Sequence, residues 1–199
     1  MAPNPAVFNL SDINGNNGFA IAGSNLGKSV SSAGDINGDG FDDLIIGAEY
    51  AGDLSRQGQT YVVFGKSSDF EASFNLSTLN GSNGFILNGV YAYNFSGFSV
   101  DSGKDVNGDG FDDLIIGAFS ASSNNNAGSG QSYVVFGSSS GFEASLNLST
   151  LNGSNGFILN GVNINDYSGS SVSNVGDING DGLDDLIIGA DLQSTKFRW

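Results

Sequence analysis

Oxygen-bearing side chains recur in this chain at positions 1, 3, 5 and 9 of a segment written three times: DINGDGFDDLIIGA (Asp35–Ala48), DVNGDGFDDLIIGA (Asp105–Ala118) and DINGDGLDDLIIGA (Asp177–Ala190). Carboxylates and a carboxamide at that spacing, interleaved with glycines that let the backbone curl, are a donor set for a hard divalent cation. The first set is Asp35, Asn37 and Asp39, the carbonyl of Phe41 and the closing carboxylate of Asp43. The second is Asp105, Asn107, Asp109, Phe111 and Asp113, and the third Asp177, Asn179, Asp181, Leu183 and Asp185. Carboxylates about 4 Å apart repel by roughly 4 kcal/mol per pair at an effective dielectric of 20, so such a loop calls for a counter-ion. Oxygen-only ligands, a neutral Asn and flexible glycines favour Ca2+ over magnesium, which demands a tighter octahedron and keeps more water. About three calcium sites are expected.

The remaining loop acids, Asp42, Asp112 and Asp184 at position 8, are expected to point outward as solvated charges. A helical calcium loop would place its bidentate acid at position 12, where Ile46, Ile116 and Ile188 stand, and would continue into a helix. Here the continuation is DLIIGA, short and β-branched, which reads as a strand. The acidic turns could instead bind nothing, but three copies at matched spacing favour the cation.

Composition removes most other chemistry. The chain has 21 acidic against 6 basic residues, a net charge of −15, and the three loops hold 12 of the acids. With no basic patch, nucleic acid and anionic membrane surfaces are poor partners. There is no Cys and no His. Disulfides, thiolate and imidazole metal sites, His general bases and the Ser-His-Asp arrangement are thereby excluded. Lys28-Ser29 occurs in one copy alone, and a calcium held by a full protein shell is a poor Lewis acid, so an enzyme is not expected. No apolar run is long enough to span a bilayer, and the start MAPNPAVFNLSDINGNNG has neither the basic end nor the apolar stretch of a secretory signal.

The elements that must hold these loops follow from the repeat. Asp35, Asp105 and Asp177 set intervals of 70 and 72 residues, giving one region, 1–199, with copies at 8–73, 74–145 and 146–199, the last incomplete. Each opens with FNLS or LNLS and a Gly/Asn turn, then a short strand: GFAIAG (Gly18–Gly23), GFILNG (Gly84–Gly89) and GFILNG (Gly156–Gly161). Next comes a strand carrying Val30, Val100 or Val172, the acidic loop, and DLIIGA. QTYVVFG (Gln59–Gly65) and QSYVVFG (Gln131–Gly137) add a strand apolar on both faces, which must be sandwiched. The NGSNGF stretches at Asn80–Phe85 and Asn152–Phe157 have no following Lys and read as turns. Four short antiparallel strands per copy, covered on both faces by neighbours, make an all-β fold of β-propeller blades. Independent bead domains of about 70 residues are the alternative, disfavoured because a bead would have to cover both faces of its inner strands alone. With the acidic-loop strand innermost, the chain is expected to begin with the outer strand of an absent blade, hold two full blades and end with two inner strands. That is an arc, closed by copies of itself or by a larger parent chain.

These features resemble the FG-GAP repeats of integrin alpha subunits and their bacterial secreted and surface relatives. The resemblance is carried by FG at Phe64-Gly65 and Phe136-Gly137, by GA at Gly47-Ala48, Gly117-Ala118 and Gly189-Ala190, and above all by the acidic loop and its strand, from Phe8 to about Leu192. It implies a seven-bladed propeller, calcium in the hairpins between the two inner strands, and extracellular adhesion or ligand recognition. The Pro of GAP is replaced by Glu49, Phe119 and Asp191, and a third FG is missing. The expected role is a calcium-binding extracellular or cell-surface module for a protein or glycan ligand; a calcium-dependent lectin and a structural spacer in a large secreted protein are the alternatives. Tyr91, Tyr93, Phe95 and Tyr167 could form a sugar- or protein-binding rim, but are expected mainly to pack between blades.

Overall fold

The computed structural model describes residues 7–52 and 55–191. The chain alternates short strands with Gly- and Asn-rich turns; among the described residues the remaining regular structure is three 3-10 turns of three residues each. In chain order the strands are β1 (Ala20–Ile21), β2 (Val30–Gly34), β3 (Asp43–Ala48), β4 (Gln59–Val63), β5 (Ser73–Phe74), β6 (Gly84–Asn88) and β7 (Ser99–Lys104). They continue with β8 (Asp113–Ala118), β9 (Gln131–Val135), β10 (Ser145–Asn147), β11 (Gly156–Asn160), β12 (Ser168–Gly176) and β13 (Asp185–Ala190).

Two four-stranded antiparallel blades result. The first runs β2-β3-β4-β6 and the second β7-β8-β9-β11. A third begins as the hairpin β12-β13. β1 does not join the first blade; it pairs in parallel with β5 instead. The two full blades, the leading outer strand and the two final inner strands are those expected of an arc. One element differs: β10, from the segment opening the third copy, lies parallel to β6 and adds a fifth, three-residue strand to the first sheet. The LNLS segment thus covers an outer edge that would otherwise offer unpaired backbone groups. A further YVVFG-type strand after DLIIGA was not expected; that stretch, residues 192–199, lies outside the described residues, as do residues 1–6 of the chain start.

The core sits between blades because DLIIGA and YVV are apolar on both faces. Ala33, Ile45, Val62, Phe85 and Leu87 of the first blade pack against Val100, Leu114, Ile116, Tyr133 and Val135 of the second, all buried. The other face of the first blade, with Ile46 and Val63, is covered by Leu76, Leu79, Phe70 and Phe74. Phe142 stacks on Phe85 at 4.3 Å, sealing the first interface near the outer strand.

Near the innermost strands the contact turns polar. The carboxylate of Asp101 accepts Ser31 Oγ of the first blade at 2.5 Å and Ser173 Oγ of the third at 2.8 Å, so one acid ties three blades together. At the rim away from the acidic loops, Phe95 and Tyr167 lie against Phe119, with ring centroids 5.5 and 5.9 Å away, and pack as expected. Tyr91 and Tyr93 do not: both are exposed. Their segment is held by its backbone instead, the Tyr93 amide donating to the Ser55 carbonyl at 2.8 Å, and both rings stay at the surface.

Candidate functional site

Each acidic loop joins the innermost strand of a blade to its neighbour: residues 35–42 between β2 and β3, 105–112 between β7 and β8, 177–184 between β12 and β13. A bulge precedes each loop, at Ser32/Gly34, Ser102/Lys104 and Asn174/Gly176, with the last residue left-handed. The extra residue twists the inner strand so that the chain turns over the sheet end rather than running on.

Within the first loop the Asp39 and Gly40 amides donate to Asp35 Oδ1 and Oδ2, each at 2.9 Å. The Asp39 amide is shared with Asn37 Oδ1 at 2.8 Å, and the Phe41 amide donates to Asp39 Oδ1 at 2.9 Å. The bonds to Asn37 and Asp39 are successive Asx turns, each side chain capping the backbone two residues on, whereas Asp35 reaches the amides four and five residues on. The second loop repeats them through Asp105, Asn107 and Asp109, and the third through Asp177, Asn179 and Asp181. Backbone amides, that of Gly182 foremost, hold the exposed Asp177 carboxyl below its ordinary value.

The ninth-position acids sit at the base of the loops. Asp43 is fully buried, its Oδ2 accepting the Ile36 amide at 3.2 Å and its Oδ1 the Gly65 amide at 2.7 Å. Asp113 matches it, with Val106 at 3.0 Å and Gly137 at 2.9 Å. Burial pushes both carboxyls up to about 7; the amides oppose this, and the charges of Asp39 and Asp35, or Asp109 and Asp105, add to it. The glycine of FG thereby gains a role the sequence did not disclose. Its amide holds the closing acid, and a Cβ at Gly65 or Gly137 would collide with the carbonyl of Asp42 or Asp112. In the third blade, Asp185 is half-buried and takes Asn179 Nδ2 at 3.2 Å, whereas Asn37 and Asn107 reach Asp39 and Asp109.

Each loop therefore assembles its five predicted residues on one hairpin, and the acids of the first two lie within electrostatic reach of the buried one. Among the described residues no three acidic side chains close on a single point, since their oxygens are turned toward loop amides. The donor chemistry nonetheless fits a hard cation: oxygen atoms alone, on a glycine-hinged loop, around a carboxylate whose burial favours a positive neighbour.

One position-8 acid departs from the outward, solvated placement expected of it. Asp112 reaches back to the first blade, where its Oδ2 accepts the Asp35 amide at 2.7 Å. This is possible because Gly34 has no Cβ to obstruct the carboxylate. Asp42 is exposed, and Asp184 contacts the second loop through its amide, which donates to the Asp105 carbonyl at 3.2 Å. Phe111 also lies over Gly38, and Leu183 over Gly108, where an added Cβ would stand 2.5 and 2.9 Å from the covering side chain. The position-7 residue, read from sequence only as a carbonyl donor, thus packs its side chain on the preceding loop.

Comparison with known proteins identifies the repeats that carry these loops. The family model for the FG-GAP repeat matches residues 27–63, 96–135 and 168–196, just over half of the chain. Integrin alpha-4 of Xenopus laevis is 31% identical over 175 residues, covering 87% of this chain and 15% of that protein. Integrin alpha pat-2 of Caenorhabditis elegans is 38% identical over 95 residues, 47% of this chain and 7% of that protein. Integrin alpha-V of Gallus gallus is 32% identical over 107 residues, 52% and 9% respectively. The chain thus spans a small fraction of the length of the relatives it matches.

Proposed function

Since the chain belongs to the FG-GAP repeat family, we propose that it is a calcium-stapled stretch of extracellular β-propeller serving adhesion or protein-ligand recognition. In this reading Asp35, Asn37, Asp39, Phe41 and Asp43 hold one ion, Asp105, Asn107, Asp109, Phe111 and Asp113 a second, and Asp177, Asn179, Asp181, Leu183 and Asp185 a third. Bound calcium supplies the counter-charge that the loop acids otherwise draw from backbone amides. Its role is structural, without catalysis, because each loop fixes how an inner strand turns back. The observation carrying the reading is the buried carboxylate at the loop base, Asp43 and again Asp113, joined to both the acidic hairpin and the FG glycine. Because the loops are taken up with turning the inner strands, ligand contact is assigned to the opposite rim; the likeness to integrin alpha subunits supports a protein as the ligand class and the cell surface or extracellular space as the location. Further blades, from a longer chain or from other copies, complete the ring.

Calcium linkage sets the scale of the test. At about 1 mM calcium and a dissociation constant near 0.1 mM, within the range of extracellular modules, each site adds about 1.4 kcal/mol, or roughly 4 for three. For a chain of this size that corresponds to a melting temperature higher by roughly 8–16 °C. Thermal melts in calcium and in excess chelator read this directly, and coincident curves would discard the structural-calcium reading. Light scattering in both conditions gives the assembly state, and capture of cell-surface proteins on the immobilised chain in calcium addresses adhesion.

A further inference from the structure

We propose that Asp112 is a positioning residue for the cation loop of the blade before its own, so that two neighbouring sites are built as a linked pair. The inference rests on the cation reading and goes beyond it, because Asp112 belongs to no ligand set. Three contacts carry it. Asp112 Oδ2 fixes the amide of Asp35, the first donor of the preceding loop, at 2.7 Å. The Phe111 ring, one residue earlier, covers Gly38 in the middle of that loop. The Ser138 amide donates to the Ile36 carbonyl at 2.9 Å, and Ile36 is fully buried, whereas its counterpart Ile178 at the open end is 75% exposed. The second blade thus contacts the first loop at Asp35, Ile36 and Gly38 and fixes the course of its backbone.

The next pair of blades provides an internal contrast. At the place of Gly34, where the Asp112 carboxylate is admitted, the second blade carries Lys104, also left-handed but with a side chain. Asp184 accordingly makes a backbone contact to Asp105 rather than a carboxylate one. The first loop is therefore braced by a carboxylate and the second is not.

Calcium titration of the isotope-labelled full chain, following the amides of Gly40 in the first loop and Gly110 in the second, resolves the two sites. Partners that orient ligands commonly change metal affinity by about tenfold or more when removed. Asp112→Ala should weaken the Gly40 transition by about tenfold and move the Gly110 transition by less than about twofold. Asp112→Asn, which retains an oxygen able to accept the Asp35 amide, should recover most of the loss, and Asp42→Ala should change neither transition. Asp112→Ser is read in the same way if the alanine variant does not fold. A Gly40 transition unchanged in Asp112→Ala, or equal shifts at both glycines, overturns the proposal while leaving calcium binding intact. A wild-type chain whose loop amides do not respond to calcium removes the cation reading itself, and this inference with it.

Discussion

Asp43 and Asp113 make the pH behaviour of the protein unusual for a carboxylate-rich chain. Their carboxyls, ordinarily near 3.8, stand at about 7 in the folded chain, mainly through burial. A carboxyl with a raised folded value binds its proton more tightly folded than unfolded, so stability is highest below the unfolded value and is lost as pH rises through the folded one. The cost of ionising each at neutral pH is on the order of 4 kcal/mol. Freed of divalent ions, the chain should melt at a higher temperature at pH 5 than at pH 7.5, with the decline falling between about 4 and 7. Calcium at pH 7.5 should restore much of the loss. Asp43→Asn, which cannot ionise but sets its amide nitrogen against one of the two backbone amides, should lessen the fall in stability between pH 5 and 7.5 of the calcium-free protein and reduce its gain from calcium; melts of wild type and variant at both pH values, with and without the ion, check this. The donor residues were legible because three copies share one spacing. The FG glycine amide and Asp112 were not, since Gly65 lies 22 residues from Asp43, and Asp112 meets Asp35 from 77 residues away.

Among elements, the inner hairpins show why DLIIGA carries a glycine before its last residue. Gly47 and Gly117 are not left-handed; their role is space, because a Cβ would meet the carbonyl of Gly97 or Gly169 on the approach to the next blade. Gly97 is itself fixed within the second blade, its amide donating to the Gly117 carbonyl at 3.0 Å. Backbone meets backbone here, so neither side can rotate away. Gly117→Ala should cost about 1–3 kcal/mol, the usual range for overpacking. Gly103→Ala, whose nearest neighbour would stand at 3.4 Å, should be close to neutral. Denaturant midpoints of the two variants test the difference. The strands themselves were readable from β-branched runs bounded by glycine. The parallel strand β10 was not, because Ser145–Asn147 has no periodicity of its own and pairs only where β6 offers an edge.

For the molecule as a whole, identical peptides acquire different energies from their place in the arc. Ile45 and Ile115 are fully buried, whereas Ile187, at the same point of an identical DLIIGA, is 56% exposed; Val100 is 5% exposed and Val30 64%. Ile115→Ala should therefore cost about 2–5 kcal/mol and Ile187→Ala far less, with Val100→Ala and Val30→Ala ordered likewise by equilibrium unfolding. Sequence could announce the blades but not these inequalities, which depend on what stands beside each one. Strand exchange has another consequence. β6 completes the first blade and β11 the second, both reading GFILN, although each belongs to the following copy of the sequence. Blade junctions and copy junctions therefore never coincide. Removing or duplicating one period, wherever the cut falls, takes away one borrowed strand and returns an equivalent one. Recombination between copies can thus change their number in the gene while each interior sheet keeps its full set of strands, a route to arrays of different length that passes through no broken intermediate.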